Sequence, residues 1–392
     1  MTPAARVEAA IGLVDRVIAS ALSKGPPADR ILADWFKVSR FAGSKDRHAI
    51  RELVFRAIRA CGPVPQSGRA ALLRLAAQDP DVRPLFDGSP YGPAPIEEGE
   101  PAAEGGAAPA WLTERLEQSG IGREEAEALL GRASLDIRVN ALKADRASLA
   151  LPDAGELLPT VQGLRFPFGT PVERWDAFAQ GLIEVQDCGS QLACEAVAAR
   201  PGETVVDLCA GAGGKTLALA AAMANQGALV AADTDRTRLG RLAPRAGRAG
   251  ALVSETRLLD PGRELDGLAP WRGKADAVLV DAPCSGTGTW RRNPEARWRL
   301  DPASLGRLVA LQRRLLGLAA ELLRPGGRLI YVTCSLLDEE GAGQVAAFLA
   351  DSPGWQAETP ALPLGRPRGP GLRLTPLHDG TDGFFIARLG KP

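Results

Sequence analysis

The sequence predicts an α/β protein. A doubly wound sheet fills the C-terminal half, with a small α+β region and an all-helical region before it. Three observations carry that expectation. From residue 201 onward, short apolar runs at 204–208, 228–232, 251–254, 275–280 and 328–333 alternate with stretches of helical period. That is the pattern of a largely parallel sheet covered on both faces. Three of these runs empty into loops rich in glycine, cysteine and hydroxyl residues, and parallel sheets gather ligands at the carboxyl ends of their strands. Residues 4–60, by contrast, show only helical spacing.

Taken in order, Ala9, Ile11, Leu13, Val14, Val17, Ile18 and Leu22 recur as one helix face, closed by Gly25, Pro26 and Pro27. Ile31, Leu32, Trp35 and Phe36 mark a second helix. Ser44 opens a third, with Ile50, Leu53, Val54, Ala57 and Ile58 on its apolar side, and a fourth is expected over 67–77. This helical domain spans 1–78. Residues 79–109 are rich in Pro, Gly, Ala and Glu without period and read as a linker or long loop. Helices at 110–118 and 123–132, short strands at 135–141, 161–166 and 181–185, and a helix at 189–199 make a mixed subdomain over 110–200. In the main domain, 201–392, helices are expected over 214–225, 235–248, 302–323 and 339–350. The tail, 383–389, alternates like an edge strand.

The 392 residues carry 47 basic and 47 acidic side chains, so net charge gives no gross sign of a polyanionic partner. Distribution is more telling: residues 1–75 hold thirteen Lys or Arg against six Asp or Glu, while 79–104 hold seven acids and only Arg83. Lys37, Arg40, Lys45, Arg47 and Arg51 bunch near the second helical turn region. The six cysteines, Cys61, Cys188, Cys194, Cys209, Cys284 and Cys334, include no C-x-x-C pair, and there are two His, which argues against a structural zinc site. With no secretory leader pattern and no apolar run near 18 residues, a reduced cytoplasmic protein is expected, with no membrane and no metal.

The loop after the first main-domain strand reads DLCAGAGGKT over 207–216. A phosphate-binding P-loop would need glycine where Cys209 stands, and a dinucleotide fingerprint would need one where Thr216 stands. The glycines still permit a tight turn and close backbone approach. Asp233, 20 residues past Gly213 and at the end of the next strand, is placed to accept from both hydroxyls of a ribose. An adenosine-containing cofactor without phosphates, S-adenosylmethionine, suits such a site. Asp260 follows the third strand and is expected near the adenine.

Cys284 and Cys334 end two strands expected to be neighbours, each in a polar turn beside Asp281 or Thr333 and Ser335. A thiol needs a positive field to act as a nucleophile at neutral pH; Lys215, Arg291 and Arg292 are candidates. Two thiols, an acid and an adenosine-type cofactor fit one chemistry well. Thiolate addition to C6 of cytosine makes C5 nucleophilic, an acid near N3 stabilises the adduct, and a second group helps remove the C5 proton and expel the thiol.

At these residues the sequence resembles the RNA 5-methylcytosine methyltransferases of the RsmB/NOP/Sun family. The motifs are DAPCSGTG (281–288), RRNPEARW (291–298), YVTCS (331–335), DLCAGAGGKT (207–216), VQDCGSQL (185–192) and DGFFIARL (382–389). The resemblance implies a Rossmann-like class I methyltransferase domain preceded by a NusB-like RNA-binding domain and a small RNA-binding subdomain. It implies Cys334 as the nucleophile on C6, Cys284 in product release, Asp281 at N3 and Lys215 as an active-site lysine. Cys209, Ala210, Gly211, Ala212, Gly213, Gly214 and Lys215, with Asp233, Arg238, Asp260 and Asp281, would hold S-adenosylmethionine. The implied partner is RNA, rRNA or a ribosomal subunit before tRNA, and the expected state is a monomer. Cys188 stands where the family more often has an acidic or small residue.

For the RNA path the sequence offers Arg236, Arg238, Arg241, Arg245 and Arg248 on one helix, and seven Arg over 291–314. Trp290 and Trp298 are candidates for base stacking or for the core. The competing functions are a methyltransferase acting on an exocyclic nitrogen, a non-catalytic RNA-binding assembly factor and, distantly, a nicotinamide-dependent oxidoreductase.

Overall fold

The computed structural model describes all 392 residues. They divide into two compact units: residues 1–131 with 289–301, and residues 132–288 with 302–392.

In the first unit four helices, α1 (Pro3–Leu22), α2 (Ala28–Val38), α3 (Ser44–Ala60) and α4 (Gly68–Gln78), enclose one core. Thr2 caps α1 by accepting from the Ala5 amide at 3.2 Å. Val7, Val14 and Val17 of α1, Leu32 of α2, Ile50 and Val54 of α3 and Leu72 of α4 are fully buried, each contributing about 1.5–3 kcal/mol of transfer free energy. Residues 79–109 are irregular apart from a short turn at 83–85, but they are not a free linker. Val82, Phe86 and Ala103 enter the helical core, and Arg69 pairs with Glu100. Their apolar residues are too sparse to show a period, yet enough to dock the segment. Helices α5 (Ala110–Gln118) and α6 (Arg123–Ala128), broken at Gly120 with φ +76, complete this unit.

In the second unit a four-stranded antiparallel sheet runs in the order β2–β3–β1–β4: β1 (Leu135–Val139), β2 (Glu156–Leu157), β3 (Gly163–Phe166) and β4 (Ile183–Val185). The short helix α7 (Asp176–Ala179) leads into β4, and α8 (Cys188–Val197) leads out. The large sheet then forms from β5 (Thr204–Asp207), β6 (Ala228–Asp233), β7 (Glu255–Leu258), β8 (Ala275–Asp281), β9 (Leu323–Thr333), β10 (Gln356–Glu358), β11 (Arg366–Arg368), β12 (Gly371–Leu374) and β13 (Phe384–Gly390). Its order is β11–β12–β13–β9–β8–β5–β6–β7, with β10 on β13. Strands β7, β6, β5, β8 and β9 are parallel. Covering helices are α9 (Gly214–Ala222), α10 (Arg236–Leu239), α11 (Leu242–Ala249), α12 (Glu264–Leu268), α13 (Pro302–Leu322), α14 (Ala342–Asp351) and α15 (Pro376–Asp379). Along β8, Ala277 and Leu279 enter one core cluster and Val278 and Val280 the other, so both faces are dry. The chain winds from β5 outward to β7, then returns to β8 on the other side of β5. That places the switch point between β5 and β8.

Three expectations need correction. The tail strand is interior: β13 pairs with β9 on one side and with β12 and β10 on the other. Its partners on the second side, β10 and β12, lie in sequence that carries no strand signal. The helix expected over 235–248 is two helices, because Pro244 in the first turn of α11 excludes a continuous ladder past Gly240. The strand expected at 251–254 lies at Glu255–Leu258. Gly250, with φ +68, closes α11, and the Ala251 amide donates back to the Ala246 carbonyl at 3.0 Å, so the apolar run serves the helix end.

Candidate active site

The site lies at the carboxyl ends of β5, β6, β8 and β9. The loop after β5 turns at Gly211 (φ +55) and Gly213 (φ +87). The positive φ of both residues favours glycine, and the Arg238 guanidinium lies over Gly211, 2.6 Å from where a Cβ would stand. The Gly211 amide donates to Asp233 at 2.7 Å, and the Asp235 amide donates to the other Asp233 oxygen at 2.7 Å. Asp233 is thereby fixed at the end of β6 with lone pairs left for further donors. Behind the loop, Thr216 donates to the buried Asp207 at 2.6 Å. Burial pushes the Asp207 carboxyl up to about 7 against that hydrogen bond, and the charge of Asp281 adds to the rise.

Lys215, in the first turn of α9, donates to Asp281 at the end of β8 at 2.6 Å and lies 5.9 Å from the Phe384 ring centroid. Burial would lower its pKa, but the charges of Asp281 and of Cys194 hold it above the usual lysine value. The lysine is therefore an ammonium that fixes the orientation of the carboxylate.

β8 and β9 are parallel neighbours with Asp281 beside Val332, so the loops that follow them emerge side by side. They bring Cys284 and Cys334 to a sulfur–sulfur distance of 3.4 Å. The hydrogen bond with Cys334 holds the Cys284 thiol well above its ordinary pKa, and burial raises it further. The Gly288 amide donates to the Cys334 carbonyl at 2.9 Å. Gly288 also packs on Gly383, where an added Cβ would stand 2.1 Å from the Gly383 carbonyl oxygen. The DGFF motif thus acts as a backbone support for the thiol loop.

A cavity of about 490 Å³ opens here, lined among others by Cys209, Asp233, Arg238, Asp281, Cys284 and Cys334. Of the cofactor-site candidates, these residues meet in one space. Lys215 reaches it through Asp281, and Asp260 is exposed between the lining residues Leu259 and Pro261. Burial, followed by the charges of Asp207, Asp281 and Asp233, pushes the Cys209 thiol well up, so it is a neutral wall residue. A larger concavity of about 740 Å³ in the helical unit, lined by Arg56, Arg59, Arg74 and Arg123 among others, receives none of these groups.

Several charge assignments change. Arg291 and Arg292 belong to the helical unit, so of the three cations considered for the thiols only Lys215 lies in the same unit as them. Arg245 and Arg248 both pair with Glu184, and Arg245 also donates to the Ala212 carbonyl at 2.8 Å; they brace the glycine loop after β5 against β4. Arg236 and Arg241 stay exposed. Arg297 is fully buried, donating to the carbonyls of Ile58 (2.7 Å), Cys61 (2.6 Å) and Pro294. Trp290 and Trp298 are buried too, with Trp298 in the helical core, which removes both from base stacking. Cys188 is fully buried at the start of α8, its amide donating to Asp136 at 3.0 Å.

A group the sequence reading did not single out completes the site. Glu340, fully buried, accepts from the Ser285 amide (2.8 Å), the Ser285 hydroxyl and Gln312 Nε2 (2.9 Å). Ser335 Oγ lies 3.2 Å from Ser285 Oγ and 3.1 Å from Thr287 Oγ1. The only sequence signal was the serines flanking both cysteines; Glu340 itself reads as the first turn of a helix.

The family model described as 16S rRNA methyltransferase RsmB/F matches residues 194–390. The probable ribosomal RNA small subunit methyltransferase B of Synechocystis sp. is 36% identical over 299 residues, covering 72% of this chain and 66% of the relative. The ribosomal RNA small subunit methyltransferase B of Klebsiella pneumoniae is 35% identical over 287 residues, covering 72% and 59%. The chain thus spans less than two thirds of the length of these relatives. The crystal structure of PH0851 superposes over 100% of both chains with a TM-score of 0.75 at 26% identity.

Proposed function

Because the chain belongs to the 16S rRNA methyltransferase RsmB/F family, we propose that it transfers a methyl group from S-adenosylmethionine to C5 of a cytosine in RNA, with rRNA as the RNA class, through a covalent bond between Cys334 and C6. The observation that carries this reading is the 3.4 Å approach of two thiols at the wall of a cavity that Asp233 and Asp281 also line.

The cavity suits the donor. Its charged lining is Asp233, Asp235, Glu264 and Asp281 against Arg238 and Arg314, and Arg314 is paired with Glu264. That balance favours a cation and disfavours a pyrophosphate. Asp233 would accept from the ribose hydroxyls, while the Cys209–Gly214 backbone, Arg238 and the Asp260 region would enclose the remainder. When bound, S-adenosylmethionine supplies an electrophilic methyl group on a sulfonium.

The remaining chemistry belongs to the chain. The target base must be single-stranded or flipped out, since C6 is out of reach inside a duplex. Cys334 as thiolate adds to C6, and the C5–C6 electron pair shifts toward C5 and the N3 side. A proton passed from the Lys215 ammonium through the Asp281 carboxyl to N3 neutralises the charge there, and it returns by the same path when the adduct collapses. C5 then takes the methyl group. Release needs loss of the C5 proton and cleavage of the Cys334–C6 bond, which restores the C5–C6 double bond. Cys284 is suited to that second half. Once Cys334 is a thioether its charge is gone and its sulfur is only a weak acceptor, so two of the effects that hold the Cys284 proton weaken, and Cys284 can release that proton to solvent and act as the base that takes the C5 proton.

The test is incubation of the chain with methyl-labelled S-adenosylmethionine and rRNA, followed by digestion to nucleosides. Label is expected in 5-methylcytidine; label only in other nucleosides, or none, would overturn the reading.

A further inference from the structure

We propose that Glu340 is a positioning residue: its buried carboxylate ties the Cys284 loop to the segment after Cys334 and so sets the contact between the two sulfurs. This deepens the proposed function by naming what holds its two thiols in register.

Glu340 sits in the turn between β9 and α14, six residues after Cys334. Its own backbone is anchored at both polar groups. Its amide donates to the Leu337 carbonyl at 3.0 Å, and its carbonyl accepts from the Tyr331 hydroxyl at 2.8 Å. Its side chain reaches back across the loop following β8 and receives three donors. Two belong to Ser285, the residue next to Cys284; the third is Gln312 of α13, which also donates to the Pro283 carbonyl at 2.9 Å. The residues on both sides of Cys284 are therefore fixed from one carboxylate. Ser335, next to Cys334, closes the ring by contacting Ser285 and Thr287 and by accepting from the Leu337 amide at 3.1 Å.

A carboxylate with no exposure is costly to bury, and it persists only where donors surround it. Here every donor belongs to an element that carries or braces a thiol loop. An apolar residue of similar size would satisfy the core equally well but would leave the Ser285 amide and the Gln312 amide without acceptors. The loop would then be free to swing Cys284 away from Cys334. The charge of Glu340 also faces Cys284, after the larger effects of the Cys334 hydrogen bond and of burial, and helps keep that thiol protonated while Cys334 attacks.

The experiment compares the full chain with Glu340→Ala, Glu340→Gln and Ser285→Ala. The first readout is independent of RNA. Dibromobimane alkylates two neighbouring thiols with loss of two bromides and two protons and becomes fluorescent only when both arms react; peptide mapping assigns the bridge. The original chain should bridge Cys284 to Cys334. Glu340→Ala should lose about fivefold or more of that bridge while binding S-adenosylhomocysteine as before, since displaced rather than absent thiols react singly. Glu340→Gln keeps an acceptor for the Ser285 and Gln312 amides and should restore most of the bridge.

In turnover, Glu340→Ala should lower kcat by about a hundredfold with little change in KM for the cofactor, the signature of misplaced reacting groups. If Glu340→Ala does not fold, Ser285→Ala, which removes one of the three donors, carries the test, with a smaller loss of bridge in the same direction. Bridging at the original rate in a folded Glu340→Ala or in Ser285→Ala, or no recovery in Glu340→Gln, would overturn the proposal. Loss of the bridge in a chain that never methylates cytosine would leave the positioning role standing and remove the proposed reaction instead.

Discussion

Two consecutive segments, 281–288 and 289–301, come from one stretch of sequence rich in glycine and arginine, yet they do opposite work. The first stays in the sheet unit and exposes Asp281 and Cys284 to a cavity. The second belongs to the helical unit and buries several side chains with polar groups: Glu295 accepts the Ala28 amide at 2.9 Å, Trp298 donates to the Gly62 carbonyl at 3.2 Å, and Arg297 has no exposure. Burial pulls the Arg297 pKa down to about 9, which leaves it charged at neutral pH, held by three carbonyl oxygens with the Trp298 ring 5.6 Å away and the charge of Glu295 nearby. The difference teaches that polar residues near the loop of a candidate site are as readily structural as functional. What separates the two is whether a side chain ends at a cavity or at backbone carbonyls.

Substitutions should pull the two segments apart. The largest effect is expected on the chemical side. Cys334→Ala should cost at least about a thousandfold in kcat, because no neighbouring group replaces the nucleophile. Cys284→Ala should instead stall after addition, with turnover down about 10²–10⁴-fold and a covalent RNA adduct on a denaturing gel. Neither change should move the melting temperature much. An adduct missing from Cys284→Ala would remove its assigned role.

The next effect is expected in the second segment. Arg297→Ala takes the guanidinium donor from the Cys61 carbonyl, leaves the Ile58 carbonyl with the Cys61 amide alone and opens a void, a loss of about 3 kcal/mol or more. Denaturant titration should show it as a clear fall in midpoint. An unchanged midpoint with weakened RNA binding would mean that Arg297 serves RNA after all.

The smallest effect compares the cysteines themselves. Burial pushes Cys61 to about 11 and Cys194 to about 11, and pushes Cys188 to about 12 with the charge of Asp187 adding to it. Only the thiolate reacts with iodoacetamide. At pH 8 these three should therefore label slowly, their labelling rising only as pH climbs toward 11, whereas Cys334 lines the cavity and is open to the reagent. Early labelling of Cys188 would show that the start of α8 opens readily.

Much of the site was legible because strand ends are local information. An apolar run stopping at Asp281 or Thr333 marks where a parallel strand meets its loop, and Asp207, Asp233, Cys284 and Cys334 all follow from that rule. The main-domain strands read well for the same reason, except where Ala251 was claimed by the end of α11 and where β13 found partners in unpatterned sequence. Arg245, Arg248 and Arg297 were misread as RNA-facing because nothing local distinguishes an arginine that meets a phosphate from one that meets Glu184 or a carbonyl.

The sequence alone determined which chemical groups arrive at the carboxyl edge of the sheet, since periodicity fixes where each strand stops. It also determined the helical character of the N-terminal region. Only the tertiary structure decided that Lys215 orients Asp281, that Glu340 binds the Ser285 backbone and that 289–301 folds with the helices. Each of these joins residues separated by 55 to more than 230 positions in the chain. Hydrogen bonds over such distances depend on how the elements pack, and no spacing along the chain encodes them.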